Sequence, residues 1–285
     1  MNVFLAGATG YIGSALLPAL ISAGHSVTAL VRTEDKASAV RAKGATTVVG
    51  DIADRALVSR LAAEADAVIT VASPGGADSR DTETAFAEAV LAGLRSGKTF
   101  IRTGGIWVHG SGLVDEDTPR DAPALVSWRE AVDTRVLRAP GIRAILIEPA
   151  VVYGHGGGIP NVAVAAAREG TFVGPGTQHW ATIHVDDLAE LYVAALDHAE
   201  PGSTFLGVNG HNPTVAEIGE AAARRLGIGT PAPERPEAVV ERLGAFGEAL
   251  LLDQQATGDK ARGALSWKPS RPTILDDIAA GSYDG

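Results

Sequence analysis

No cysteine occurs in the 285-residue chain. That absence excludes disulfides, thiolate nucleophiles and cysteine-ligated metals, and it leaves the redox compartment open. Positive charge is also scarce: 24 Lys and Arg stand against 34 Asp and Glu, for a net charge of −10. A nucleic-acid partner draws its affinity from Lys and Arg that neutralise phosphate, so none is expected. No apolar run reaches the length of a membrane span, so no membrane partner is expected either. No basic stretch precedes the first apolar segment, which reads as a strand and not a leader, and the cytoplasm is the default location. Aromatic residues make up only 5% of the chain, and its four tyrosines are Tyr11, Tyr153, Tyr192 and Tyr283.

What is present is an ordinary globular balance, 46% hydrophobic and 20% charged. The length suits one large α/β unit, or such a unit with a small appended lobe. The chain opens on a short apolar run, Val3 to Ala6, followed by Gly7, Gly10 and Gly13 and then by helical periodicity from Tyr11 to Ser22. A strand, a glycine turn and a helix start are what a dinucleotide pyrophosphate requires. Glycines let the backbone approach the phosphates, and the free N–H groups of the first helical turn bind their charge. A glycine-rich turn can also be a mere connector; its position between a strand and a helix favours cofactor binding.

The same alternation continues. Apolar strands are expected at Ser26–Val31, Thr46–Val49, Ala67–Val71, Thr99–Thr103 and Arg143–Ile147. Helices are expected between them at Lys36–Ala42, Ala56–Glu64, Thr82–Arg95 and Ser127–Ala139, the last capped by Ser127 with Glu130 in the capping-box position. Repeated βαβ units predict an α/β fold with a doubly wound parallel sheet covered by helices on both faces. Residues 110–123 read as a loop, and a composition shift after Tyr153 suggests a smaller C-terminal lobe. The domain expectation is therefore a dinucleotide-binding domain over 1–153, which also receives a strand near 203–209, and a mainly substrate-binding lobe over 154–285. That lobe would pack over the C-terminal ends of the strands, where ligands bind in such sheets.

These pieces resemble the short-chain dehydrogenase/reductase superfamily in its extended form, related to nucleotide-sugar epimerases and dehydratases. The resemblance rests on Thr9-Gly-Tyr-Ile-Gly13, Gly50-Asp51, Glu148-Pro149 with Val152-Tyr153-Gly154, Ile183-His-Val-Asp-Asp-Leu-Ala189 and Leu265-Ser-Trp-Lys-Pro269, in order along the whole chain. It implies that Thr9, Tyr11 and Ile12 join Gly7, Gly10 and Gly13 around the pyrophosphate. It further implies that Asp51 and Ile52 border an adenine, that Ala72 and Ser73 follow the ribose and pyrophosphate, and that Pro149, Val151 and Val152 line a nicotinamide. A homodimer through Thr82–Arg95 and Ser127–Ala139 is also implied, although those apolar faces equally suit the sheet.

The family's Tyr-x-x-x-Lys pair is missing. No tyrosine lies on the 127–139 helix, and Gly104 stands where the family carries a serine, next to Thr103. The chain thus resembles the atypical members, which keep the cofactor motif without the usual active-site set. Catalytic candidates are then Thr103, which can hydrogen-bond a substrate oxygen or merely cap its strand, and His109, whose imidazole suits acid–base work. Arg129 is the third: it can hold a ribose or a substrate carboxylate, or simply pair with Asp133 one helical turn on. His155 and Trp180 are weaker pocket candidates. His184 and Asp186 match a structural turn in which Asp186 caps the helix that follows. No His and carboxylate have metal spacing, and no nucleophile elbow is present.

Cofactor choice follows from the tip of the second strand. NAD enzymes place a carboxylate there, about twenty residues past the glycines. Here the tip reads Val31-Arg32-Thr33, with Lys36 nearby. Arg32, Thr33 and Lys36 suit a 2′-phosphate, so NADP is expected, with NAD as the alternative because Glu34 follows closely. The leading functional reading is an NADP-dependent oxidoreductase acting on a small carbonyl or imine substrate. A non-catalytic NAD(P)-binding sensor or scaffold is the second reading, and a sugar-nucleotide epimerase or dehydratase the third.

Overall fold

The computed structural model describes residues 1–76 and 78–285. Twelve strands, twelve α-helices and a short 3-10 helix, Ile106–His109, are assigned among them. The strands are β1 Asn2–Ala6, β2 Ser26–Val31, β3 Thr46–Val49, β4 Ala67–Thr70, β5 Thr99–Thr103, β6 Gly112–Val114, β7 Arg143–Pro149, β8 Val151–Gly154, β9 Gly157–Gly158, β10 Thr182–His184, β11 Ser203–Gly207 and β12 Gln254–Ala256. The helices are α1 Tyr11–Ser22, α2 Glu34–Arg41, α3 Arg55–Glu64, α4 Ser79–Gly93, α5 Arg129–Leu137, α6 Pro160–Arg168, α7 Val185–His198, α8 Val215–Leu226, α9 Pro236–Leu243, α10 Ala245–Leu250, α11 Asp259–Leu265 and α12 Ile274–Ala279.

Seven parallel strands form the central sheet in the order β11-β7-β5-β4-β1-β2-β3. Both faces are covered, and the residues of β1 show why its sequence is apolar throughout. Val3 and Leu5 pack with α1 and α7 on one face, whereas Phe4 and Ala6 pack with α3, α4 and α5 on the other. All four are buried, as a doubly covered parallel strand requires. The chain runs outward from β1 through β2 to β3, then crosses back to β4 and continues through β5 and β7 to β11. The order reverses between β1 and β4, which opens a crevice beyond their carboxyl ends.

Three small additions carry the C-terminal residues onto this frame. β8 pairs with β10 and β9 in a three-stranded sheet. β6, inside the stretch expected to be a loop, pairs in parallel with β12, so Gly112–Val114 is a strand whose partner lies far on in sequence. A third apolar cluster, around Tyr153, Val164, Trp180 and Ile218, lies among α6, α8 and α12. The free edge of β11 is met by the 110–123 stretch, where the Leu206 N–H donates to Glu116 Oε1 at 2.8 Å.

Helix starts differ in detail from the sequence expectation. α4 begins at Ser79 and α2 at Glu34. α5 follows Trp128, whose side chain makes no capping bond, and the Ser127 hydroxyl turns back to Ala124 O, so the expected capping box does not form. α7 is capped by His184 and not by Asp186: His184 Nδ1 accepts from the Asp186 N–H at 3.1 Å. An imidazole that accepts at Nδ1 is neutral, and burial, the largest influence on it, lowers the His184 pKa.

Candidate active site

The glycine turn closes at the reversal of strand order. Gly7 has φ +98°, and a side chain there would lie 2.7 Å from the Ala72 N atom beyond β4. Gly13 is packed against the same turn, since an added Cβ would fall 2.0 Å from Gly7 O. α1 is therefore drawn onto the strand with its first turn facing the crevice. Its N-cap is Gly10, with no side chain to occupy the free N–H groups. That open cradle at the start of a twelve-residue helix fits a dinucleotide pyrophosphate.

The crevice widens into a cavity of about 260 Å³. It brings together Ile12, Ala72, Ser73, Thr103, Arg129, Pro149 and Val151 from the sequence-predicted set. Its remaining walls are largely apolar, with Ile106, Trp107, Val126 and Ile159 among them, and the carboxylate of Glu83 on α4 is an addition that sequence reasoning missed. Only residues separated widely in sequence signal it, which is why a reading along the chain could not find it.

The other predicted residues lie elsewhere. Thr9 is exposed at the turn. The Tyr11 hydroxyl donates to Gly154 O at 2.8 Å, and its ring abuts Gly157 and Gly158, which fixes the chain after β8 to the first helix. Val152 is buried in the core beside α7. Arg32 and Lys36 are exposed, and Thr33 caps α2 by accepting from the Lys36 N–H. Asp51 is exposed and accepts from the Ala53 N–H at 2.8 Å, while Ile52 packs on the α3–α4 side of the core. Trp180 is a core residue whose Nε1 donates to Leu250 O at 2.9 Å. His155 Nε2 faces the Asp186 carboxylate at 3.0 Å. One ligand atom each from His155, His184 and Asp186 lies within 4.8 Å of the others, but the Nδ1 lone pair of His184 is already committed to the helix cap.

His109 is not in the cavity. It lies in a network of buried charges behind it, with Nδ1 on Thr118 O at 3.0 Å and Nε2 on Glu148 Oε2 at 2.9 Å. Both neighbours are acceptors, so both ring nitrogens carry hydrogen and the ring is an imidazolium. Burial works to lower the His109 pKa, but the bond to Glu148 and its charge outweigh burial and raise it above the ordinary value. Glu148 also meets Arg120 at 2.9 Å. Arg102 bridges Asp133 at 2.6 Å and Glu83 at 3.4 Å. Asp133 is held above the usual carboxylate range by burial, which outweighs the opposing charge of Arg102.

This network accounts for Gly104 and for the partners of Arg129. A side chain at position 104 would meet Glu148 Cγ at 3.0 Å, so glycine stands where a serine is usual because Glu148 fills that space. Arg129 does not pair with Asp133 along its helix. Its Nη2 reaches Glu83 at 2.9 Å and its Nη1 donates to Gly104 O at 3.1 Å. Its Nε–H is buried and has no partner among the described residues.

Comparison with known proteins agrees with the nucleotide cradle. A family model described as NAD(P)H-binding matches residues 7–199. The chain is 29% identical to a 3-diazoavenalumate denitrifying reductase of a Streptomyces species, over 98% of this chain and 99% of that protein. It is 27% identical to a 4-hydroxy-2-methyl-3-oxo-4-farnesyl-3,4-dihydroquinoline-1-oxide ketoreductase of Stigmatella aurantiaca, over 98% and 90%. Among solved structures, the human epimerase family protein SDR39U1, solved with NADPH, superimposes with a TM-score of 0.76 at 24% identity, covering 99% of this chain and 100% of that one. The protein belongs to the NAD(P)H-binding family and shares its fold with epimerase family proteins.

Proposed function

We propose that the protein is an NADP-dependent oxidoreductase that reduces or forms a carbonyl or imine on a small, largely apolar substrate. The observation that carries this reading is the cavity itself. It sets residues of the nucleotide crevice, Ile12, Ala72, Ser73, Pro149 and Val151, against a hydroxyl, a guanidinium and apolar walls. A nicotinamide bound there supplies hydride transfer. The chain's own part is to hold the reacting oxygen or nitrogen: Thr103 offers a hydroxyl, and Arg129 sets its guanidinium in the same wall. Glu83 neutralises Arg129, so the pair selects for a polar atom and not for a full charge. Trp107 and Ile159 exclude water from the same space. The two curated reductases named above, similar along nearly their whole length, support a reductive chemistry.

NADP over NAD rests on the tip of β2. Arg32 is exposed at that tip; of the two acids that follow it in the first turn of α2, Glu34 pairs with Arg41 and Asp35 is exposed. No carboxylate stands at the tip itself, and the exposed guanidinium of Arg32 there suits a phosphate. Titration by nucleotide fluorescence tests this directly. NADPH should bind tighter than NADH, and Arg32→Ser should weaken NADPH about 10- to 100-fold, the loss of one charge-assisted contact worth roughly 1.5–3 kcal/mol, with NADH unchanged. Oxidation of NADPH across a panel of aromatic and aliphatic ketones and imines tests the reaction; tight binding with no turnover on any of them would favour a nucleotide-binding sensor instead.

A further inference from the structure

Tyr192 projects from the middle of α7 and is fully buried. Its hydroxyl lies 2.5 Å from Thr103 Oγ1, and Thr103 Oγ1 lies 2.5 Å from Thr70 O. These distances fix the direction of every hydrogen. A carbonyl oxygen only accepts, so the Thr103 hydrogen points at Thr70 O. Thr103 then has no second hydrogen, and the one between it and Tyr192 belongs to the phenol. Reversing that bond would leave two bare oxygens, Thr103 Oγ1 and Thr70 O, in contact. Burial lifts the Tyr192 pKa far above the ordinary phenol value, so the phenol keeps its hydrogen and is a permanent donor.

Thr103 lines the cavity beside Arg129. With Tyr192 fixed as its donor, the single hydrogen of Thr103 has two destinations, Thr70 O or an oxygen bound in the cavity. We propose that Tyr192 is a positioning residue, whose phenol holds Thr103 Oγ1 as a hydrogen-bond donor toward the reacting oxygen or nitrogen of the substrate. The donated phenol hydrogen also polarises the Thr103 O–H and strengthens what it gives. This role rests on the reductase reading above and assigns Tyr192 no proton transfer of its own. No covalent bond of Tyr192 is made or broken.

Four variants test it: Tyr192→Phe, Thr103→Val, both together, and Thr103→Ser. In the protein without nucleotide, urea unfolding of the first three should show the two hydroxyls coupled by about three- to tenfold in the folding constant. Acetophenone, a flat neutral ketone, serves as the probe of donation. With NADP⁺ bound, its carbonyl stretch should fall to lower frequency in the wild type. The shift should be smaller in Tyr192→Phe, absent in Thr103→Val and restored in Thr103→Ser. With NADPH, Tyr192→Phe should lower kcat about tenfold and Thr103→Val about 100-fold, with nucleotide affinity within about twofold of wild type in each. The double variant should be no slower than Thr103→Val alone. Multiplicative losses, no coupling in unfolding, or no carbonyl shift in the wild type would overturn the assignment. Coupling and a carbonyl shift without NADPH oxidation would leave Tyr192 in place and remove the reductase reading instead.

Discussion

At the scale of single residues, the buried histidine has the most measurable consequence. His109 is held protonated between Glu148 and Thr118, and its pKa in the folded protein is raised above 6.5. A base with a raised folded pKa contributes stability that is complete below its unfolded value and is lost as pH rises through the folded value. His184 works in the opposite sense, because burial lowers it below 6.5; its contribution is gained as pH rises toward the unfolded value. The two windows meet near 6.5. Urea unfolding followed against pH should therefore give a maximum near about pH 6.5 and a decline above it. His109→Gln retains one donor for Glu148 and cannot titrate. Its stability should lie below wild type at about pH 6, and the gap should close as pH rises through the folded pKa. A gap that stays constant with pH would show that His109 does not change charge in this range.

At the scale of elements, the first helix depends on one close approach. Gly13 lies so near Gly7 O that a methyl group there has no space, and both atoms belong to backbone that cannot swing aside. Gly13→Ala should cost about 1–3 kcal/mol of stability by overpacking, and should weaken NADPH binding more than tenfold by displacing the helix start. Calorimetry and nucleotide titration of the same variant measure the two effects, and an unshifted nucleotide affinity would dissociate the cradle from the packing. This element was legible in the sequence because its cause is local: the spacing of three glycines between a strand and a helix is visible along the chain. The doubly covered sheet was legible for the same reason, through apolar runs that do not alternate. What the sequence hid depends on contacts remote along the chain. β6 pairs with β12 across some 140 residues. Glu83 reaches the cavity from α4, where helix periodicity shows only that one face is buried. Arg129 and Asp133 have the spacing of a helix ion pair, yet each takes a buried partner from another element. Tyr192 is a core residue of α7, and only the strand end beside it, remote in sequence, gives its hydroxyl a task.

At the scale of the whole molecule, the residues after Tyr153 are fastened to the sheet through polar bonds as well as apolar packing. Gln254 on β12 donates from Nε2 to Ile106 O at 2.9 Å and to Gly110 O at 2.6 Å, directly behind the cavity wall. Asp187, fully buried on α7, accepts from the Ser270 and Arg271 N–H groups at 2.9 and 3.1 Å, and Trp267 Nε1 donates to Asp187 O. The Tyr153 hydroxyl reaches Pro272 O at 2.7 Å. The Gln254 and Tyr153 bonds join the two expected domains, and α7, although in the second stretch, packs on the sheet with β1, so the two should unfold as one unit and not in sequence. The tryptophans are spread to report on this: Trp107 and Trp128 lie in the first stretch, Trp180 and Trp267 in the second. Fluorescence of variants that keep only one pair should give the same urea midpoint as far-ultraviolet circular dichroism. Saturating NADPH should raise all midpoints together, although the nucleotide cradle lies in the first stretch alone. Gln254→Ala leaves two buried carbonyls without their donor, at about 1–3 kcal/mol each. It should lower the common midpoint and, by loosening the wall that carries Trp107, raise the KM for a bulky ketone more than that for a small one. Separate midpoints for the two tryptophan pairs would mean that the two stretches fold independently.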